Sequence, residues 1–349
     1  MTLEIAADLK RTPRDRTTRI GSFEIIELSA VGQTCPAEQL TAPLVPLKSS
    51  PPKLRRKQTG TEALSEACRV IVQQVDHNWE VVLRCDDPEG PHQMRVGLRR
   101  LRSALKAFRP YIDHETLREV DQQTRKLGRV LSQLRDADVL ATDIVDAVLI
   151  QNEGDPGLLS LKVALAGNLI GHRQHVRDQL TRDEWSAFRL QLLALPDQVG
   201  KLCSKTDRKG RSGDLRRIAG RALAKHWRRV AQAGRNLDQL TIMERHELRK
   251  ELKTLRYTTE LFSPLYPPKI VRRFSTKLRR LQDRFGYLND VTVAEKLMSI
   301  RQNGVIGTSD LQRAVGYVIG WHAAHADEAW RDIAKDWRKL SRVPKFWSL

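Results

Sequence analysis

Two histidines, 154 residues apart, each open a row of cations at helical spacing. The first row is His92, Arg95, Arg99, Arg102 and Lys106, and the second is His246, Arg249, Lys253 and Arg256. Steps of three and four residues place each row on one face of an α-helix. Guanidinium forks pair bidentately with phosphate oxygens and ammonium groups act as point charges, so the chemistry of such a face is anion binding. The first row extends roughly 21 Å at 1.5 Å per residue, which suits a polymer better than a single phosphate. Like charges at these spacings repel, and a merely solvated face would interleave acids, yet residues 92–108 contain none. In the second row Glu260 stands where Lys106 extends the first. A histidine heading each row can donate to phosphate and gain a proton as the polyanion arrives, which predicts binding that tightens below neutral pH.

The rows must be positioned by helices, and the sequence around them repeats. Residues 92–140 and 246–294 are identical at 13 of 49 positions without a gap, which marks an internal duplication at an offset of 154. Met94, Leu98, Leu101, Leu105 and Phe108 form the apolar seam beside the first row, and Leu248, Leu252, Leu255 and Phe262 form its counterpart. Seam and row are one residue apart, about 100° around the helix, so the cations flank the core.

Helical periodicity continues on both sides. Helices are expected over 64–82, 93–108, 115–134, 137–150 (after a break at RDAD), 158–180 and 185–195. The second half repeats the plan with 215–233, 245–261, 268–287, 291–302 and 310–340. The stretch 200–213, GKLCSKTDRKGRSG, reads as a polar, glycine-rich linker. The fold class is therefore all-α: two antiparallel helical bundles, 61–200 and 214–349, related by a pseudo-two-fold, which is the natural packing for such a duplication. Residues 1–60 form an extension with two short strands, 3–10 and 22–31, then a proline-rich segment that excludes a long helix.

Composition points the same way. The chain has 349 residues and a net charge of +19 from 61 Lys and Arg against 42 Asp and Glu, which calls for a polyanionic partner. Four cysteines without a C-x-x-C pair suit a reducing compartment. Residues 1–11 lack the apolar core of a signal peptide, and no apolar run reaches 18 residues, so a cytoplasmic protein without a membrane span is expected.

The strings from His92 (H-x-M-R-V-x-x-R-R-L-R-S-A-L) and from His246 (H-x-L-R-K-x-x-K-x-L-R-Y) resemble the two signature helices of CHAD domains, the conserved histidine α-helical domains. LGRVLSQLRDADVL at 127–140, LRRLQDRFGYLNDV at 278–291, VGYVIGWHAA at 315–324 and the KFW tail agree, so the resemblance covers about 61–349. It implies an all-α, non-enzymatic module of two pseudo-symmetric four-helix bundles that binds inorganic polyphosphate in a cationic cavity and can sit on polyphosphate granules. Carried over by position, the ligand-binding residues are the nine of the two rows, with Arg125 and Arg279, equivalent across the repeat, as additions. It implies no cofactor and no metal. The opening LEIAADLKR and SFEIIELSAVG resemble the last two strands of a CYTH, or triphosphate-tunnel, domain. No E-x-E-x-K strand is present, and Glu24 and Glu27 face opposite sides of a regular strand, so this reads as a remnant without triphosphatase activity.

Three other readings remain open on the residues alone. Asp136, Asp138, Asp143 and Asp146 could hold Mg²⁺ for a metal-dependent phosphohydrolase. The net charge would serve a non-specific nucleic-acid-binding protein, although aromatics for base stacking are only 5% of the chain. The pairs His172/His175 and His322/His325 share helical faces, as metal ligands can.

Overall fold

The computed structural model describes residues 43–201, 215–298 and 309–348, and among these it is helical with no strand. The two N-terminal strands and the 200–213 linker, apart from its first two residues, lie outside the described residues. Residues 43–53 are non-helical and lie along the first helix, α1 (Gly60–Arg84). Asn78 anchors them, its Oδ1 accepting from the Leu47 amide at 3.2 Å and its Nδ2 donating to the Leu47 carbonyl at 2.9 Å.

Helix starts are set by side chains that satisfy the free amides of the first turn. Thr59 and Glu62 close a capping box at α1, and Thr241 and Glu244 close another at α8 (Ile242–Phe262). Ahead of α2 (Glu89–Phe108), the Asp87 carboxylate accepts from the Glu89 amide at 2.8 Å. His114 Nδ1 accepts from Thr116 at the start of α3 (Glu115–Val139).

The expected break at RDAD is absent. That stretch holds neither Gly nor Pro, so the helix runs on through a π-helical turn, Leu140–Ile144, into α4 (Val145–Leu149). The wide turn follows directly on Asp138, which is fully buried and ion-paired at 2.9 Å with Arg173 of α5 (Pro156–Leu180). The chain continues as α6 (Asp183–Lys201), α7 (Leu215–Gly234), α8 and α9 (Pro268–Ala294). Helix α9 extends through 287, so the separate start expected at 291 does not occur. The long final helix expected over 310–340 is two, α10 (Ser309–Arg331) and α11 (Ile333–Ser341). They part at Asp332, whose carboxylate accepts from Arg284 of α9 at 3.0 Å.

Two apolar clusters hold these helices. The larger takes side chains from both halves, including Leu98, Leu101 and Phe108 of α2, Leu252, Leu255 and Phe262 of α8, and the tail residues Phe346 and Trp347. The Phe108 and Phe262 rings, at repeat-equivalent positions, meet with centroids 5.7 Å apart. The smaller cluster joins Leu140–Val148 and the start of α5 to Val293, Ala294, Leu297 and the start of α10. Close approach is built in where a side chain would not fit. A Cβ on Gly97 would come within 2.6 Å of Val75 on α1, and one on Gly234 within 2.3 Å of Trp337 on α11.

Candidate cationic site

Helices α2 and α8 bury their seams and leave the cation rows beside them. Met94, Leu98, Leu101 and Phe108 are almost wholly buried, as are Leu252, Leu255 and Phe262. The paired arginines of the string GLRRL separate by the 100° step between neighbours. Arg100 turns inward, 5% exposed, and its Nη1 donates to Gln74 Oε1 at 2.7 Å. Arg99 turns the other way, towards α8. With Phe108 against Phe262 at one end, and Arg99 acting on Arg249 and Lys253 some way back, the two helices run side by side in the same sense.

The centre of the arrangement is Arg95 and Arg99 from α2 with Arg249 and Lys253 from α8. Among the described residues none of the four has a carboxylate at ion-pair distance, although neighbouring cations do. Burial, then the charge of Arg99, lowers Arg95 from its usual 12.5 to about 10. Its Nη1 is buried with no hydrogen-bond partner. Burial, then Arg99, likewise lowers Arg249. Lys253 is the extreme case. Burial and then the charges of Arg249, Arg99, Arg95 and Arg256 bring its ammonium from 10.5 to about 6. Bringing unpaired cations together out of water raises the free energy of the empty protein, and an anion lying among them would offset that cost.

The other expected residues are distributed around this centre. His92 lies beside Arg135, Arg99 and Arg95, and burial first, then those charges, lowers it below its usual value. His246 is exposed at the rim and is lowered by partial burial and then by Lys250 and Arg249. Both histidines are therefore neutral at neutral pH in the free protein. Arg256 adjoins Lys253 and is paired at 2.8 Å with Glu260, the acid that ends its row. Arg102 is paired at 2.8 Å with Asp121 of α3. Lys106 belongs with Arg102, Asp121 and Arg125, and it borders a groove of about 740 Å³ lined also by Arg109, Arg221 and Lys225. Arg279 is exposed on α9.

Two residues of the centre escape the repeat. Arg135 of α3 stands next to His92 and Arg95, but its repeat equivalent is Asn289, so a search for shared cations passes over it. Tyr257 is buried among Arg95, Arg249 and Arg256, at the position that Ser103 holds in the first repeat.

The four aspartates considered for metal each meet a different cation. Asp136 accepts from Lys296, Asp138 from Arg173, Asp143 from Arg135 and Asp146 pairs with Lys162. His322 is buried with Nε2 at 2.9 Å from the Ile144 carbonyl, and His325 stacks on Trp321. Among the described residues no cluster of His, Cys, Asp and Glu has the arrangement of a metal site. No helix there is long and apolar enough to cross a membrane.

The model of the CHAD domain family matches residues 66–299. The fold is similar to that of the CHAD domain from the plant Ricinus communis, with a TM-score of 0.72 and 23% identity. That likeness covers 86% of this chain and 99% of the plant chain. PptA from Streptomyces chartreusis is similar over 80% of this chain and 100% of its own, with a TM-score of 0.55 and 14% identity. At these identities both likenesses concern the fold. No curated protein matches the sequence.

Proposed function

Since this chain belongs to the CHAD domain family, whose members form a non-catalytic binding class, we propose that it binds inorganic polyphosphate without turning it over. The observation that carries this reading is the unpaired cluster of Arg95, Arg99, Arg249 and Lys253. Phosphate oxygens arriving there supply the hydrogen-bond partner that Arg95 Nη1 lacks, and they relieve the repulsion that depresses Lys253. His92 and Arg135 extend the site on one side, and Arg256 on the other. Arg102, Lys106, Arg125 and Arg279 serve as outer contacts along the polymer. A chain that binds this way is held on polyphosphate granules wherever these form in the cytoplasm.

Nucleic acid is a weaker fit for physical reasons. The tryptophans near the chain end are occupied in packing: Trp337 stacks on Trp227, Trp347 lies edge-on to Phe274, and Trp330 lies under Arg245. They offer no free face for bases.

Competition tests the reading. Labelled long-chain polyphosphate is displaced by unlabelled polyphosphate, duplex DNA or RNA at several salt concentrations. Polyphosphate binding is expected to outlast DNA binding as salt rises, and equal displacement by DNA would sink the specific reading. Arg95→Ala and Arg249→Ala are each expected to cost about 1.5–3 kcal/mol of affinity, the worth of a charge-assisted hydrogen bond. Unchanged affinity in the folded double variant moves the site elsewhere.

A further inference from the structure

A second concentration of cations lies away from the cluster just described. Arg273 and Lys277 of α9 and Lys335, Arg338, Lys339 and Arg342 at α11 line one concavity of about 540 Å³, with Val343 as its only other lining residue. Arg273, Lys335, Arg338 and Arg342 are exposed, and Lys277 and Lys339 are half-buried. Among the described residues none of the six makes an ion pair. The nearest acids in sequence, Asp332 and Asp336, are taken by Arg280 and Arg284 of α9 at 2.8–3.2 Å.

Helix electrostatics do not account for the patch. Cations are favourable in the last turn of a helix, which covers Arg338 and Lys339. Arg273 and Lys277, however, belong to the first half of the 27-residue α9, away from its favourable end. On α11, Lys335, Arg338, Lys339 and Arg342 follow steps of three, one and three, so they share one face and repel one another. A patch that costs free energy when empty and lacks acids is built for an anion. Its row on α11 spans roughly 10 Å, more than one phosphate needs. On α9, Lys277 lies about 120° around the helix from Asp283, which acts on Arg256, and about 140° from Asp290, which lies by Arg249 and Lys253, so the patch faces away from the central cluster.

We propose that this outer patch is a second binding site for a linear phosphate polymer. The ligand class rests on the polyphosphate reading above, and the residues are separate from it. The lining contains no aromatic side chain on which a base could stack and no large apolar side chain to insert into a lipid surface. A chain with two such sites on different faces holds two polymer strands, or two stretches of one, and cross-links them.

The test is calorimetric titration of the full chain with a short, defined polyphosphate, together with turbidity on mixing with long-chain polyphosphate. Three proteins are compared: wild type, an outer variant (Arg273→Gln, Arg338→Gln, Arg342→Gln) and a central variant (Arg95→Gln, Arg249→Gln, Lys253→Gln). Unchanged far-UV circular dichroism and Tm establish that each is folded. Wild type is expected to take two polymers per chain and to cross-link long polymer. The outer variant is expected to take one, to keep the tighter site and to lose cross-linking. If the outer variant keeps wild-type stoichiometry and turbidity while the central variant loses binding, the second site is overturned and the central reading stands. If wild type does not bind polyphosphate, the central reading fails with it. Parallel titrations use duplex DNA and anionic phosphatidylserine vesicles. Loss of either interaction in the outer variant, with polyphosphate stoichiometry intact, overturns the proposal in favour of that partner.

Discussion

At Lys253, burial and crowding act on one ammonium group. Arg249 and Arg256 flank it on α8, Arg95 and Arg99 face it from α2, and Asp290 of α9 is the acid nearby. With a value of about 6, Lys253 is neutral in the free protein at pH 7.5 and charged below pH 6. An entering polyanion favours the charged form, so binding at neutral pH takes up a proton. Affinity is expected to rise as pH falls from 8 to 6, and calorimetry in buffers of different ionisation enthalpy measures the proton uptake directly. Lys253→Arg, charged throughout, is expected to flatten that profile, and a profile as steep as wild type would place the titration on His92 or His246. The stability of the free protein changes with the opposite sign. The unfolded lysine titrates near 10.5, so between about 6 and 10.5 the unfolded chain holds the extra proton and this group's contribution to stability grows with pH. Lys253→Met is expected to raise the Tm of the free protein at pH 6 by about 2 °C or more while weakening polyphosphate binding.

Repetition made much of this group legible. Arg95 and Arg249, and Arg99 and Lys253, share a histidine-led register, and type and spacing alone placed them on one face. What the sequence could not reveal was which cations are already neutralised. Arg102 and Arg256 sit in the same rows, yet Asp121 from another helix occupies one and Glu260 from the same helix the other. Burial and neighbouring cations lower both histidines, and Lys253, brought down to about 6, is a further proton acceptor that the sequence did not single out as such.

At the scale of elements, periodicity located the helices well, and the misses have identifiable causes. A run such as RDAD resembles a polar turn, but without Gly or Pro only tertiary context decides. Here Arg173 buries Asp138 and the helix absorbs it with a π turn. Breaking that pair by Arg173→Ala is expected to cost about 3–5 kcal/mol, because the carboxylate remains buried. Denaturant titration measures it. Burial, opposed in part by Arg173, already raises Asp138 to about 6. Glycines divide by what surrounds them. Gly97→Ala is expected to destabilise by about 1–3 kcal/mol through contact with Val75. At Gly128 an added Cβ meets nothing within 4 Å, so Gly128→Ala is expected to stabilise by roughly 0.5–1 kcal/mol.

For the whole molecule, the net charge of +19 is unevenly placed. Many arginines are spent on helix-to-helix ties, such as Arg189 to Asp76 and Glu80, or Arg284 to Asp332 and Asp336. Among the described residues, the central cluster and the α9–α11 face are two places where cations without a paired acid lie close together. Charge counting predicts a polyanion partner but cannot find these gatherings, since pairing depends on which helices meet. Polyphosphate is expected to raise Tm in a concentration-dependent way, by the linkage of ligand to the folded state, and added salt is expected to erase the effect. A thermal scan series at several salt concentrations reads both.

Phe108 touching Phe262 has a consequence for how the molecule comes apart. The apolar cluster beneath the cation rows draws on both halves, so neither half encloses a complete interior by itself. The cation cluster lies on that seam, with Arg95 and Arg99 from one half and Arg249 and Lys253 from the other. If the cluster binds polyphosphate as proposed, the polymer is expected to act as a clasp across that seam, so that loosening either half weakens the clasp and the interior together.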